Sequence, residues 1–281
     1  MTLILDCFAR DAAFQVSDRR LTDIHGNAVD DETNKAVVVD GRVVFGYTGL
    51  AQIEGERTDV WLAHVIAGGP TNNMRVVADR ICHRATSAFQ RLRCPIQFKR
   101  HAFRGTGWFR LKDEDWFSPG LITVHNYFDH NTGDPLPEPL GDFKVSSYFP
   151  TKLPGGCFIR NVGVTPSPAE RAAIVKLVRK CAKNKNATRG AVLNALIQSV
   201  VWLSKNRAYR TIGSSVMAIC LPRTCVEQFD GTGAYAMAPG MPQDSCPTFL
   251  YATTNQAIRV GFAPIFVGKR TTPAQLKPGA I

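Results

Sequence analysis

The chain is predicted to fold as an α+β protein of two stacked sheets covered by helices. Three observations carry this expectation: apolar runs with turn signals fill the first fifty residues, two segments of helical period follow, and a block of strands then leads into two more helices and a strand. TLILDCFA (residues 2–9) reads as a buried strand, Arg10 and Asp11 as a turn, and AAFQVSDRR (12–20) as the returning strand, ending in charge. A polar stretch (23–33) leads to NKAVVV (34–39), Asp40-Gly41 signals a hairpin, and RVVFGYTGLA (42–51) returns from it. TDVWLAHVIAGG (58–69) and NNMRVVADRICHRATSAFQRL (72–92) repeat their apolar positions at helical spacing. AFRGTGWFRL, LITVHNYFD, FKVSSYF and CFIRNVGV read as successive strands, interrupted by the proline-rich turn DPLPEPLGD. Helices are expected over 168–183 and 188–204, the first opened by a capping box of Ser167 and Glu170 with Pro168 at its first position. A strand over 211–221 closes the series. Beyond it, TFLYATT and IRVGFAPIFVG suggest an added hairpin, and TTPAQLKPGAI a loose tail.

Composition narrows the function classes. With 281 residues, 44% of them hydrophobic, the chain can bury one large core or a core with an appendage. No signal peptide and no apolar run of membrane-spanning length is visible, so a cytoplasmic protein without a membrane partner is expected. The 8 cysteines, Cys7, Cys82, Cys94, Cys157, Cys181, Cys220, Cys225 and Cys246, lack the short paired spacing of a metal site and read as reduced thiols. Cys220 and Cys225 offer zinc too few ligands, and His125 with His130 is better explained by a strand end and turn; neither metal nor cofactor is expected. The net charge of +11 concentrates over 75–112 and 171–189. Without a nucleic-acid motif or regular aromatic interleaving, it argues for a solvated face rather than a nucleic-acid partner.

Thr2 follows Met1, and a small second residue favours trimming of the initiator, which would leave a hydroxyl beside a free amine. An N-terminal amine is a recognised base for a threonine nucleophile, and a nearby buried lysine would favour its neutral form. If the first hairpin brings its far end back to Thr2, Asp18 arrives beside the amine; Lys35 opens the next strand, and Gly46 and Gly49 offer amides that a substrate carbonyl can approach closely. Taken singly, each has a plainer reading: Asp18 as a solvated strand end, Lys35 as an edge lysine, Gly49 as a turn, Tyr47 as core.

The order of Thr2, SDRRLTD around Asp18, NKAVVV at Lys35 and GYTGLA at Gly49 resembles the amino-terminal half of proteasome β-subunits and HslV-type bacterial peptidases, which are N-terminal nucleophile hydrolases. The match is tight over about the first quarter and looser to about Pro222. The resemblance implies a four-layer αββα sandwich over residues 1–222 with a C-terminal extension over 223–281, and threonine-type endopeptidase activity. It implies Thr2 as nucleophile with its amine as base, Asp18 paired with Lys35, and Gly49 at the oxyanion. Thr22 would bind the substrate backbone, and Tyr47 would stand near the primary specificity pocket. Peptide or unfolded protein as substrate, self-assembly into a homo-oligomer, and service by an ATP-driven unfoldase follow from the same resemblance. The family's distal aspartate has no counterpart in NRAYRTIGSSVMAIC (206–220), where Thr211 and Ser214 read as strand-edge hydroxyls, and Ser167 reads as a helix cap. An amidase or acylase on a small amide, a catalytically silent structural subunit, and a basic nucleic-acid-binding protein stay open as alternatives.

Overall fold

Strand β1 (Leu3–Ala9) and strand β2 (Ala12–Asp18) are buried on both faces, as their nearly unbroken apolar sequence requires, and pair antiparallel with Cys7 opposite Phe14. The computed structural model describes residues 2–9, 11–23, 27–110, 117–129, 134–151, 153, 156–184, 188–223, 248–253, 256–259 and 265–267. Two short strands follow, β3 (Leu21–Thr22) and β4 (Ala28–Asp30), which pair with each other, the second of them within the polar stretch 23–33. Then come β5 (Ala36–Val39) and β6 (Val43–Thr48), joined through Asp40 and Gly41 at φ of 47° and 62°, the left-handed pair that a tight hairpin turn demands. A small ribbon of β7 (Gln52–Ile53) and β8 (Glu56–Arg57) precedes helices α1 (Thr58–Ala67) and α2 (Met74–Arg91).

The second half runs β9 (Ala102–Arg110), β10 (Phe117–His125), β11 (Lys144–Tyr148) and β12 (Cys157–Gly163), then α3 (Pro168–Lys183), α4 (Arg189–Ser204) and β13 (Val216–Pro222). The capping box forms as expected, with Glu170 N–H donating to Ser167 Oγ at 3.3 Å and Ser167 N–H to Glu170 Oε2 at 2.8 Å. The last strand begins at Val216 rather than at 211, because residues 207–209 turn as a 3-10 helix. Past the core strands, β14 (Thr248–Thr253) and β15 (Gln256–Arg259) form a hairpin on β13, whereas β16 (Ile265–Val267) lies parallel to β5 in the other sheet. The second segment of the expected hairpin is therefore divided between the two sheets. Met1, Arg10, His130, Cys225, Cys246 and the tail 271–281 lie outside the described residues.

Two six-stranded sheets result, ordered β12-β1-β2-β13-β14-β15 and β11-β10-β9-β6-β5-β16. Leu62 and Ile66 of α1 and Val77 and Ile81 of α2 pack on Val37, Phe45 and Phe103 of the second sheet. Ile174 and Val178 of α3 and Leu196 and Val200 of α4 pack on Leu3, Phe14 and Val216 of the first. Each such side chain contributes about 1.5–3 kcal/mol by burial, so helices of modest propensity are held mainly by these faces. A third apolar cluster, including Phe8, Val44, Trp108 and Ile219, fills part of the space between the sheets. Next to it stands a polar group: Asp6 accepts from Gln15 Nε2 at 3.2 Å and lies 3.2 Å from Arg104 Nε. Burial pushes the Asp6 carboxyl upward in pKa while Arg104 opposes it. Among the described residues no helix is long and apolar enough to cross a membrane, and no cluster of His, Cys, Asp and Glu could hold a metal ion.

Candidate active site

Thr2 stands immediately before β1, so the pairing of β1 with β2 carries it to the far end of the first hairpin, where Asp18 ends β2. Leu3 N–H donates to Asp18 Oδ1 at 2.7 Å, while Arg20 N–H and Gly213 N–H donate to Oδ2 at 3.2 and 3.3 Å. Asp18 is thus held by backbone from three segments. The Lys35 side chain enters from the other sheet, just ahead of β5, and its Nζ lies 3.4 Å from Asp18 Oδ2. Both side chains are fully buried, which sets aside the solvated strand end and the edge lysine.

Lys35 Nζ also donates to Thr2 Oγ1 at 2.6 Å and to the Arg20 carbonyl oxygen. An ammonium has three N–H donors, and here a hydroxyl, a carboxylate and a carbonyl receive them. Burial lowers the Lys35 pKa from its usual value, and the charge of Asp18 opposes that shift. The carbonyl that meets Lys35 is fixed in turn, since Arg20 Nε and its outer nitrogen clamp Asp31 at 2.6 and 3.0 Å. Chemically the cluster places a cation on a threonine oxygen in a site with little water, Thr2 being 5% exposed. A cation so placed stabilises negative charge on Oγ1.

Three residues that the sequence reading did not single out complete the surroundings of Thr2. Gly163, at φ of 90°, approaches so closely that a β-carbon there would run into the Thr2 carbonyl oxygen. Thr48 Oγ1 donates to that same oxygen at 3.4 Å, and Gly213 supplies the amide already described. A lone glycine at the end of a strand pattern was the available signal for Gly163.

The remaining candidates take varied places. Gly49 directly follows Thr48, with φ of 120°, and a β-carbon on it would lie 2.5 Å from the Arg100 carbonyl oxygen and from His101 Nδ1. Packing alone therefore requires a glycine there. Leu50 N–H donates to His101 Nδ1 at 3.1 Å, and burial depresses the His101 pKa to about 3. Thr22 is half-buried in β3, paired with Ala28, two residues past the carbonyl that meets Lys35. Tyr47 is 1% exposed, its hydroxyl 3.4 Å from the Asn34 carbonyl oxygen and its ring stacked on His101, so it lies in the core under α1. Gly46 sits within β6 opposite Ala36, not at a strand end.

No protein family matches the chain, and no curated protein does. Among solved structures it is similar to an Anbu (Gly-1) mutant from Hyphomicrobium sp. strain MC1, at 14% identity and TM-score 0.48, covering 82% of this chain and 85% of that one. It is also similar to Anbu (ancestral beta-subunit) from Yersinia bercovieri, at 11% identity and TM-score 0.47, covering 79% and 81%. These findings correct the family assignment drawn from the sequence. No family model and no curated relative places the chain among the N-terminal nucleophile hydrolases, the proteasome β-subunits or the HslV-type peptidases, so the motif order of the first quarter does not establish membership.

Proposed function

We propose that the protein is a threonine-type endopeptidase with Thr2 as its nucleophile, on a four-layer αββα sandwich spanning residues 1–222, with 223–281 as an extension. The observation that carries this reading is the 2.6 Å contact between Lys35 Nζ and Thr2 Oγ1 within a buried cluster anchored by Asp18. Cutting the peptide bond before Thr2 frees an amine adjacent to the hydroxyl. Lys35, as a neighbouring positive charge, lowers that amine's pKa and so raises the neutral fraction that can accept a proton. The Thr2 oxygen then attacks a substrate carbonyl while its proton passes to the amine, the Gly49 amide receives the developing oxyanion, and the protonated amine releases the leaving amine. Water, deprotonated by the same amine, hydrolyses the acyl-threonine ester.

Thr22 and its strand offer backbone for an extended substrate in this reading. Tyr47 supports the site from below through His101 rather than by touching substrate. Self-assembly is part of the proposal: α4 carries no charged residue between Arg189 and Lys205, and its Trp202 is 47% exposed. The test compares peptide cleavage by wild type and Thr2→Ala at matched oligomeric state. Thr2→Ala should fold, assemble and lose at least about a hundredfold in turnover. Full turnover in that variant would overturn the assignment.

A further inference from the structure

A cavity of about 450 Å³ opens beside β11 and β12, the terminal strands of the two sheet orders. Val162 and Gly163 of β12 form part of its wall, and Gly163 is the residue pressed against the Thr2 carbonyl, so one residue of β12 links the cavity wall to the backbone of Thr2, on the side of β1 opposite β2. Three arginines line it: Arg104, Arg160 and Arg171. Arg104 is spoken for, with Asp6 3.2 Å away and Thr123 Oγ1 accepting at 2.6 Å. Arg160 is held in place by stacking, its guanidinium 5.2 Å from the Phe158 ring centre and 5.6 Å from that of Tyr148. Neither Arg160 nor Arg171 has an acidic partner among the described residues.

Two acids also line the cavity, Asp129 and Asp134; each has a partner within the molecule, and Asp129 N–H donates to the Asp134 carbonyl oxygen at 2.8 Å. Among the described residues neither acid forms an ion pair with Arg160 or Arg171, so those two guanidinium groups are open to a carboxylate from a ligand. Its size suits a few residues of peptide, and planar guanidinium groups bind carboxylates through paired hydrogen bonds.

We propose that this cavity binds a carboxylate of the substrate, either an acidic side chain or a chain-terminal carboxylate, while the adjoining peptide bond lies at Thr2. As an account of substrate choice this rests on the peptidase reading; as an account of binding it stands apart from turnover. The test is fluorescence anisotropy of labelled hexapeptides with the full-length Thr2→Ala protein. One peptide carries a single glutamate and an amidated end, a second glutamine and a free carboxylate, and a third glutamine and an amidated end. The first or second should bind about tenfold tighter than the third, and which of them does identifies the source of the carboxylate. That preference should vanish in Arg160→Gln/Arg171→Gln and be weakened but retained in Arg160→Lys/Arg171→Lys, which keeps the charge and loses the planar fork. It should also survive in the charge-matched control Arg84→Gln/Arg93→Gln, on a surface outside the cavity. Equal affinity for all three peptides, or a preference untouched by the cavity glutamines, would overturn the proposal. Peptide cleavage by wild type is read separately: a preference without turnover removes the peptidase reading and keeps the cavity, and turnover without a preference does the reverse.

Discussion

The two flanks of Thr2 are built on opposite terms. Toward β2, Lys35 finds an acceptor for each of its three protons, and Asp18 receives three backbone amides besides. Toward β12, Thr2 meets Gly163, which also lines a cavity in which two arginines lack an acidic partner among the described residues. A buried charge is tolerable when its partners are fixed, because the desolvation penalty has already been offset in the folded chain. An exposed charge in a concave wall can wait for its partner to arrive in solution. The first arrangement fixes geometry, and the second selects what comes near it.

The sharpest way to break this contrast is to remove the cation from the closed flank. Lys35→Ala strands the Asp18 carboxylate in the core and should cost about 3–5 kcal/mol of stability, read by chemical denaturation, along with nearly all turnover. A variant as stable as wild type would show that the pair is not needed for folding. Next comes Gly49→Ala, which forces a β-carbon to within 2.5 Å of the Arg100 carbonyl oxygen at a φ of 120°. A loss of about 3 kcal/mol is expected, and turnover should fall further than stability if the amide also serves the oxyanion.

Acid probes the same turn more gently. Folded His101 has a pKa of about 3, and in the unfolded chain it takes up a proton below about pH 6.5. Between those values the unfolded state holds more protons, so stability present at neutral pH is lost as pH falls through 6.5 towards 3. This one group accounts for about 2 kcal/mol between roughly pH 7 and pH 5. His101→Gln should flatten that part of the profile, and an unchanged profile would assign the acid sensitivity elsewhere. The smallest effect is expected on the outer side of the β12 flank: Ser167→Ala removes the cap of α3, costing about 1 kcal/mol while turnover holds. A large drop in turnover there would mean that Ser167 does more than cap.

The features legible in the sequence were those specified locally. The Asp40-Gly41 turn, the Ser167 and Glu170 capping box and the helical faces each depend on residues within a few positions of one another, and all three appear in the structure. The β3–β4 ribbon was not legible because strands of two and three residues carry no period. Nor was the passage of β16 to the second sheet, since three residues cannot declare their partner. At the site, the meeting of Thr2, Asp18 and Lys35 follows from two hairpins and could be anticipated from their order. The role of Gly213 could not, because its amide reaches Asp18 across 195 positions. Tyr47 illustrates a further gap: whether a strand residue faces core or cleft depends on register, which a single residue does not reveal. Kinship with a named family, read tightly from the first quarter and more loosely to about Pro222, is the reading that did not hold, since neither a family model nor a curated protein matches the chain.

The central claim is that Thr2 Oγ1 is the nucleophile. Its most direct measurement is intact-mass and peptide-mapping mass spectrometry after incubation with a threonine-reactive peptide β-lactone, on wild type and Thr2→Ala in parallel. The account predicts a single adduct on wild type, mapped to Thr2 in chains whose first residue is Thr2, and none on the variant. An adduct mapped elsewhere, labelling that persists in Thr2→Ala, or folded protein trimmed to Thr2 that takes no label would contradict it.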